Sequence, residues 1–332
     1  MFLIRAILVI FSFLCFLPAI AAGDTLQEVR KRGFLNCGVS LGLPGFSSQS
    51  GNGDWQGLDV DFCKAVSLAV LGDAKAVRFI PLSAKNRFSA LSSKRIDILS
   101  RNTTWTMGRQ ANKDIDFVGV IYLDSQGFMT KRNSGLTDIR LLHNQNICIL
   151  GHTTTYDNAF DYFGSTQINV KLLEFETHKA ALKAYLADEC VAYTADVSAL
   201  AAQRAQTPNP EDHVFLQKAI SKEPLSPAVR SDDLKWRKIV QSTLFLLINA
   251  EEAGWTSARV RSSKELRPMQ VPTNISKNLN LEVDWAEKVI AGIGNYGEIF
   301  DRNLGETSSL KLDRSVNKLW TMGGLLYAPA LR

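Results

Sequence analysis

The sequence predicts an α/β protein with a mainly parallel sheet, built as two units, one inserted into the other. Three observations carry this. Strand-like apolar runs alternate with helix-periodic segments up to residue 99, which is the pattern of strand–helix–strand units. The same order of strand, loop, helix, strand, helix, strand restarts at Asn146. The segment after residue 214 does not restart, and reads as the chain returning to the first unit. Length agrees, because removing a leader of 22 residues leaves roughly 310, and ~150 residues per domain gives two.

The elements follow in order. A helical start at Asp24–Val29 leads into a short buried strand, Phe34–Val39. A loop rich in Gly, Ser and Pro runs from Ser40 to Gly57. Asp59 is expected to cap a helix whose apolar residues Phe62, Val66, Ala69 and Val70 recur at helical spacing. Ala76–Pro81 reads as a strand, Asn86–Ser93 as a helix and Ile96–Leu99 as a strand. In the second unit the strands are Asn146–Leu150, Val170–Phe175 and Cys190–Tyr193, the last ending at Asp196. Helices are expected near Tyr156–Phe163 and over His178–Leu186. Val214–Leu216 and Pro227–Val229 read as strands. Leu234–Ala253 reads as a long helix burying Trp236, Ile239, Val240, Thr243, Leu247 and Ile248, ended by Gly254.

The first 22 residues have the layout of a cleavable signal peptide: Arg5, an uncharged run from Ala6 to Leu17, Pro18, then small residues with Ala19 and Ala21 at the cleavage positions. The apolar run is shorter than the ~20 residues of a spanning helix, and no later segment is long and apolar enough to span. The chain is 45% hydrophobic and 21% charged, an ordinary globular balance, with a net charge of +5. Lys and Arg are scattered among Asp and Glu, so a nucleic-acid partner is not expected.

Four cysteines remain beyond the leader: Cys37, Cys63, Cys148 and Cys190. An even number in an oxidising compartment suggests disulfides. Without a Cys-x-x-Cys spacing, zinc and redox readings are weak. Three pairings exist. Cys148–Cys190 and Cys37–Cys63 are the natural pairs, with buried free thiols as the alternative for the second.

The stretches GFLNCGVS, GLDVDFCKAV, SAKNRFSALSSKRIDILSRNTTWTMGRQ, GHTTTYDNAFDYF, AYTADVSAL, SKEPLSPAVR and GNYGEIFDRN resemble the periplasmic general L-amino-acid-binding proteins of ATP-driven importers. The resemblance runs over essentially the whole chain beyond the leader. It implies a two-lobed periplasmic-binding-protein-like fold of type II, two hinge strands and a ligand in the cleft between lobes. Residues 1–22 would be the signal peptide, 23–124 the first part of lobe 1 and 125–218 lobe 2. Residues 219–332 would return to lobe 1 and add a C-terminal helical extension, with hinges near 122–128 and 214–224. The implied partners are a free L-amino acid and an inner-membrane ATP-binding-cassette (ABC) permease.

The residue chemistry fits that reading. Arg109 offers a planar, two-pronged charged donor for a carboxylate, and the resemblance places an Arg there for that purpose. Thr104 and Asn102 lie on the loop after strand Ile96–Leu99, with Thr104 suited to the carboxylate and Asn102 to the amine. Thr153 and Thr154 sit at a helix start, where backbone N–H groups attract a carboxylate; the resemblance makes this turn a donor to the ligand. Asp196 is implied to meet the ligand ammonium, with a helix N-cap as its ordinary alternative. Arg101, His152, Phe46, Trp105 and Arg87 are candidate lining residues, with exposure to solvent the ordinary alternative for Arg101 and His152 and packing that for Phe46 and Trp105. Related binders stack the ligand on aromatic rings, but here those positions fall near Leu43 and Ala84. Lys85 and Arg87 are read either as cations that reach an acidic ligand side chain or as ordinary helix-surface charges.

The competing reading is a secreted enzyme of the same fold, such as a cyclohexadienyl-type dehydratase. It needs a positioned acid or base, and the four histidines, His143, His152, His178 and His213, stand in no catalytic motif. No phosphate-cradling loop or metal-spaced cluster appears. We therefore expect a binder without catalytic residues, cofactor or metal.

Overall fold

The computed structural model describes residues 24–111, 114–262 and 271–332. The signal peptide read at residues 1–22 lies outside the described residues. Two five-stranded sheets organise the chain. In the first, strands Val77–Pro81, Leu35–Val39 and Ile98–Leu99 lie side by side in parallel. Ala228–Arg230 runs antiparallel between Ile98–Leu99 and Ile115–Phe117. The second sheet repeats this plan: Val170–Phe175, Gln145–Leu150 and Ala192–Asp196 are parallel, followed by antiparallel Gln126–Lys131 and His213–Phe215.

The restarted order of elements is therefore the two sheets, and the returning segment after residue 214 supplies strand Ala228–Arg230 to the first. Parallel strands are covered on both faces. Accordingly the central strand Ala192–Asp196 is buried at every position. The chain passes between the sheets at Tyr122–Asp124 and returns at Glu223–Leu225, and these two strands pair antiparallel, with Asp124 opposite Glu223.

Helix Leu234–Glu252 buries Trp236, Ile239, Val240, Thr243, Leu247 and Ile248, the face its periodicity predicts. Asp233 caps it by accepting from the Trp236 amide at 2.9 Å. The C-terminal helices Trp285–Ile293 and Tyr296–Asn303 follow, and the first packs on helix Leu58–Leu71. The chain beyond them holds the crossing strand. Asn317 accepts from the Leu123 amide at 2.7 Å and donates to the Leu123 carbonyl at 2.9 Å. Tyr296 donates its hydroxyl to the Ile121 carbonyl.

Both disulfides form, Cys37–Cys63 and Cys148–Cys190. The first ties strand Leu35–Val39 to helix Leu58–Leu71, and the second ties Gln145–Leu150 to the start of the neighbouring strand. Among the described residues no helix is long and apolar enough to cross a membrane.

One local expectation is corrected. Asp59 does not cap its helix; it lies inside helix Leu58–Leu71 and is buried. Gly57 opens the helix instead, at φ 130°. Any Cβ there would stand 2.1 Å from the Phe46 carbonyl oxygen, so the entry is open to glycine alone.

Candidate functional site

The carboxyl ends of both sheets point into one cavity, the usual place for a ligand in open α/β sheets.

One wall is the loop after strand Ile98–Leu99. Asp59 fastens this loop, accepting from the Ser100 hydroxyl at 3.0 Å and the Asn102 amide at 2.9 Å. That second bond holds Asn102 at a left-handed φ of 34°, a conformation Asn tolerates better than most residues. Burial lifts the Asp59 carboxyl to about 7, against the pull of these donors and of Arg101.

Thr106 then caps the short helix Met107–Gln110 through the Arg109 amide. The Arg109 side chain is thereby turned back to donate to the Thr104 carbonyl at 2.8 Å. Arg101 is anchored by its Nε on the Leu82 carbonyl at 2.9 Å. Burial lowers the pKa of both guanidiniums, that of Arg101 to about 10.

The opposite wall comes from the second sheet. Strand Gln145–Leu150 ends in the turn to helix Thr154–Thr166, with Thr153 at the N-cap position. Thr153 spends its hydroxyl on the Leu150 carbonyl at 2.7 Å. The amides of Thr154 and Thr155 begin the helix, so neither has a carbonyl four residues back within it. Both residues line the cavity.

Asp196 ends strand Ala192–Asp196 directly before helix Val197–Arg204. It sits at the N-cap position, yet its side chain makes no capping bond. The carboxylate is 8% exposed and faces the cavity. Burial lifts it well above the usual carboxylate range. Asp124 and Glu223 reinforce the rise, and Arg109 and Arg87 oppose it.

Between the walls stands Glu223, on the returning crossing strand. It accepts from Thr104 at 2.6 Å, Thr154 at 3.0 Å, Asn158 at 2.6 Å and Ser221 at 2.6 Å. Thr104 belongs to the first wall, and Thr154 and Asn158 to the second. The Thr104 and Thr154 hydroxyls also lie 3.1 Å apart. One carboxylate thus latches both walls to the strand that joins them.

Residues 35–256 match the profile of the bacterial extracellular solute-binding proteins, family 3. This chain belongs to that family. It is 44% identical over 320 residues to the general L-amino acid-binding periplasmic protein AapJ of Rhizobium johnstonii, covering 94% of each chain. It is 40% identical over 319 residues to the glutamate/glutamine/aspartate/asparagine-binding protein BztA of Rhodobacter capsulatus, again covering 94% of each. A solved periplasmic binding protein from Brucella ovis with glutathione bound is 43% identical. It superposes with a TM-score of 0.90 over 93% of this chain and 100% of that one. The fold is accordingly the two-lobed one of periplasmic binding proteins, with one sheet in each lobe.

In this family-3 binding protein most of the expected residues converge. Arg87, Arg101, Asn102, Thr104 and Arg109 line the cavity from the first lobe, and Thr153, Thr154 and Asp196 from the second. Three expected lining residues do not. Phe46 is fully buried, edge-on to Tyr122 at 5.6 Å, inside the first lobe's core. Trp105 stacks on Phe117 at 5.8 Å and stays 36% exposed, because its amide is drawn to the Pro224 carbonyl. His152 takes a left-handed φ of 57° and borders a separate hollow with Lys85 and Glu176.

Sequence reasoning passed over His178 and Glu223. His178 lines the cavity, shares a 2.7 Å hydrogen bond with the Tyr193 hydroxyl, and is pushed down by burial to about 4, so it is neutral. Glu223 lies in the stretch SKEPLSPAVR, but nothing in that stretch marks it as a site residue, and His178 lies in none of the stretches that carry the resemblance. Only the pairing of the two crossing strands brings Glu223 under the cleft.

Proposed function

We propose that this chain captures free L-amino acids in the periplasm and delivers them to an inner-membrane ABC importer. Export by cleavage of the leader at residues 1–22 completes the route. One observation carries the binding claim: Arg109 from one lobe and Asp196 from the other face the same buried cavity. Those are the two charges a zwitterionic amino acid needs. The ligand carboxylate takes the Arg109 guanidinium and the amides of Thr154 and Thr155, assisted by the helix dipole. Its ammonium takes the Asp196 carboxylate and the Asn102 loop. Because the Thr104 and Thr154 hydroxyls already serve Glu223, they position the walls around the ligand.

The names of AapJ and BztA, and the relation to a glutathione-bound protein, support an amino-acid-like ligand. They also support binding over catalysis, and so speak against the dehydratase alternative. Residues 23–124 with 219–332, and residues 125–218, are the two lobes that close on the ligand. The paired strands Tyr122–Asp124 and Glu223–Leu225 are the hinge.

This reading gives binding a definite pH dependence. An ammonium partner favours ionised Asp196, so the bound-state pKa lies below the raised ligand-free one. Affinity is therefore full above the ligand-free pKa and falls as pH drops through it, by up to about tenfold per unit. Calorimetric titration between pH 8 and pH 5 checks this. Asp196→Asn is expected to weaken binding at pH 8 by at least about 30-fold and to flatten the pH slope. Near-normal affinity in Asp196→Asn, or an unchanged slope, removes Asp196 from the ligand.

A further inference from the structure

The zwitterion accounts for Arg109 and Asp196 and leaves Arg87 without a partner. Arg87 opens helix Arg87–Ser92, is 3% exposed and lines the cavity. Its guanidinium lies 4.9 Å from the Phe88 ring centroid. It makes no hydrogen bond or ion pair with any described residue, and its Nε is buried and unpartnered. Arg101 and Arg109 differ, because each donates to a carbonyl.

The charges felt at Arg87 are two of like sign, Arg101 and Arg109, and one opposite, Asp196. Asp196 is already needed by the ligand ammonium. A guanidinium is rarely buried without a counterion, because desolvating the charge is costly unless something compensates it. A zwitterion brings no net charge and leaves that cost standing, whereas a ligand with one extra negative charge relieves it. A carboxylate also matches the guanidinium fork in shape. Lys85, the other cation expected near an acidic side chain, borders the separate hollow with His152.

We propose that Arg87 holds a second carboxylate of the ligand, so that this protein selects L-amino acids with acidic side chains over their amides and over apolar amino acids. The inference rests on the amino-acid reading above and refines it.

The test is calorimetric titration of ligand-stripped protein with L-glutamate, L-aspartate, L-glutamine, L-asparagine and L-leucine, in wild type and Arg87→Met. In wild type, at least one acidic amino acid is expected to bind at least about 30-fold tighter than its amide. Arg87→Met is expected to erase that preference by weakening the acid, leaving the amide within about threefold. The ligand-free melting temperature of Arg87→Met is expected to match or exceed wild type, because an unpaired buried charge is removed. Should Arg87→Met fail to fold, Arg87→Lys keeps the charge without the fork and is expected to lose part of the preference. Equal wild-type affinity for acid and amide, or an equal loss for every ligand in the variant, overturns the proposal while leaving amino-acid capture intact. Failure of wild type to bind any of the five overturns both.

Discussion

Arg109→Ala is expected to weaken amino-acid binding by at least about 100-fold. Removing one partner of a buried, hydrogen-bonded charge pair typically costs ~2–5 kcal/mol, and the ligand carboxylate would keep only backbone amides. The loss has two parts. The charge disappears from a site in which burial already strengthens electrostatics. The Thr104 carbonyl also loses the donor that holds it at 2.8 Å, so the latch through Glu223 is less well placed. Arg109→Lys separates the two, because a lysine keeps the charge but offers no planar fork. An intermediate affinity is expected for it. Titration calorimetry gives both numbers, and a ligand-free melt shows whether the fold is intact. Arg109→Ala binding within threefold of wild type would place the carboxylate elsewhere.

The largest expected change in stability follows loss of the Cys148–Cys190 bridge. Its ends are 42 residues apart, and closing a loop of that length restricts the unfolded chain by ~4 kcal/mol in the chain-entropy treatment. Both cysteines are buried, so Cys148→Ala with Cys190→Ala also leaves unfilled volume beside the second lobe's central strands. The Cys37–Cys63 bridge spans 26 residues and is expected to contribute slightly less, about 3.5 kcal/mol. Chemical denaturation of the double-alanine variant, with and without reductant, checks the prediction. The midpoint of the variant is expected to fall well below wild type and to be the less sensitive to reductant of the two. An unchanged midpoint would mean that the bridge adds nothing the packing does not supply.

The parallel strands were legible because a strand covered on both faces is written as a nearly unbroken apolar run. Asn146–Leu150 and Ile96–Leu99 are of this kind, and the structure places strands there. Two antiparallel strands, His213–Phe215 and Ala228–Arg230, were read as well, at Val214–Leu216 and Pro227–Val229, but others were not. Ile115–Phe117, Tyr122–Asp124 and Glu223–Leu225 are three residues each, too short for any period to show. Their existence depends on partners about a hundred residues away in the chain.

The site divided the same way. Asp196 stands at a strand end and Arg109 in the short helix Met107–Gln110, both in quotable motifs, and both reach the cavity. For Asp196 the sequence also supported a helix cap, a bond its side chain does not make. Glu223 was hidden because its work is to accept four donors gathered from both lobes. Phe46 and Trp105 were proposed for lying near the motif, but sequence distance does not give side-chain direction. One turns into the core and the other stacks on Phe117.

The central claim is capture of a free amino acid between two lobes, and titration of the ligand-stripped protein with the twenty L-amino acids, followed by calorimetry, tests it most directly. Saturable binding of one or more amino acids at one ligand per chain, abolished in Arg109→Ala, is the predicted result. No binding by any of the twenty, or turnover of the ligand during the titration, would contradict it.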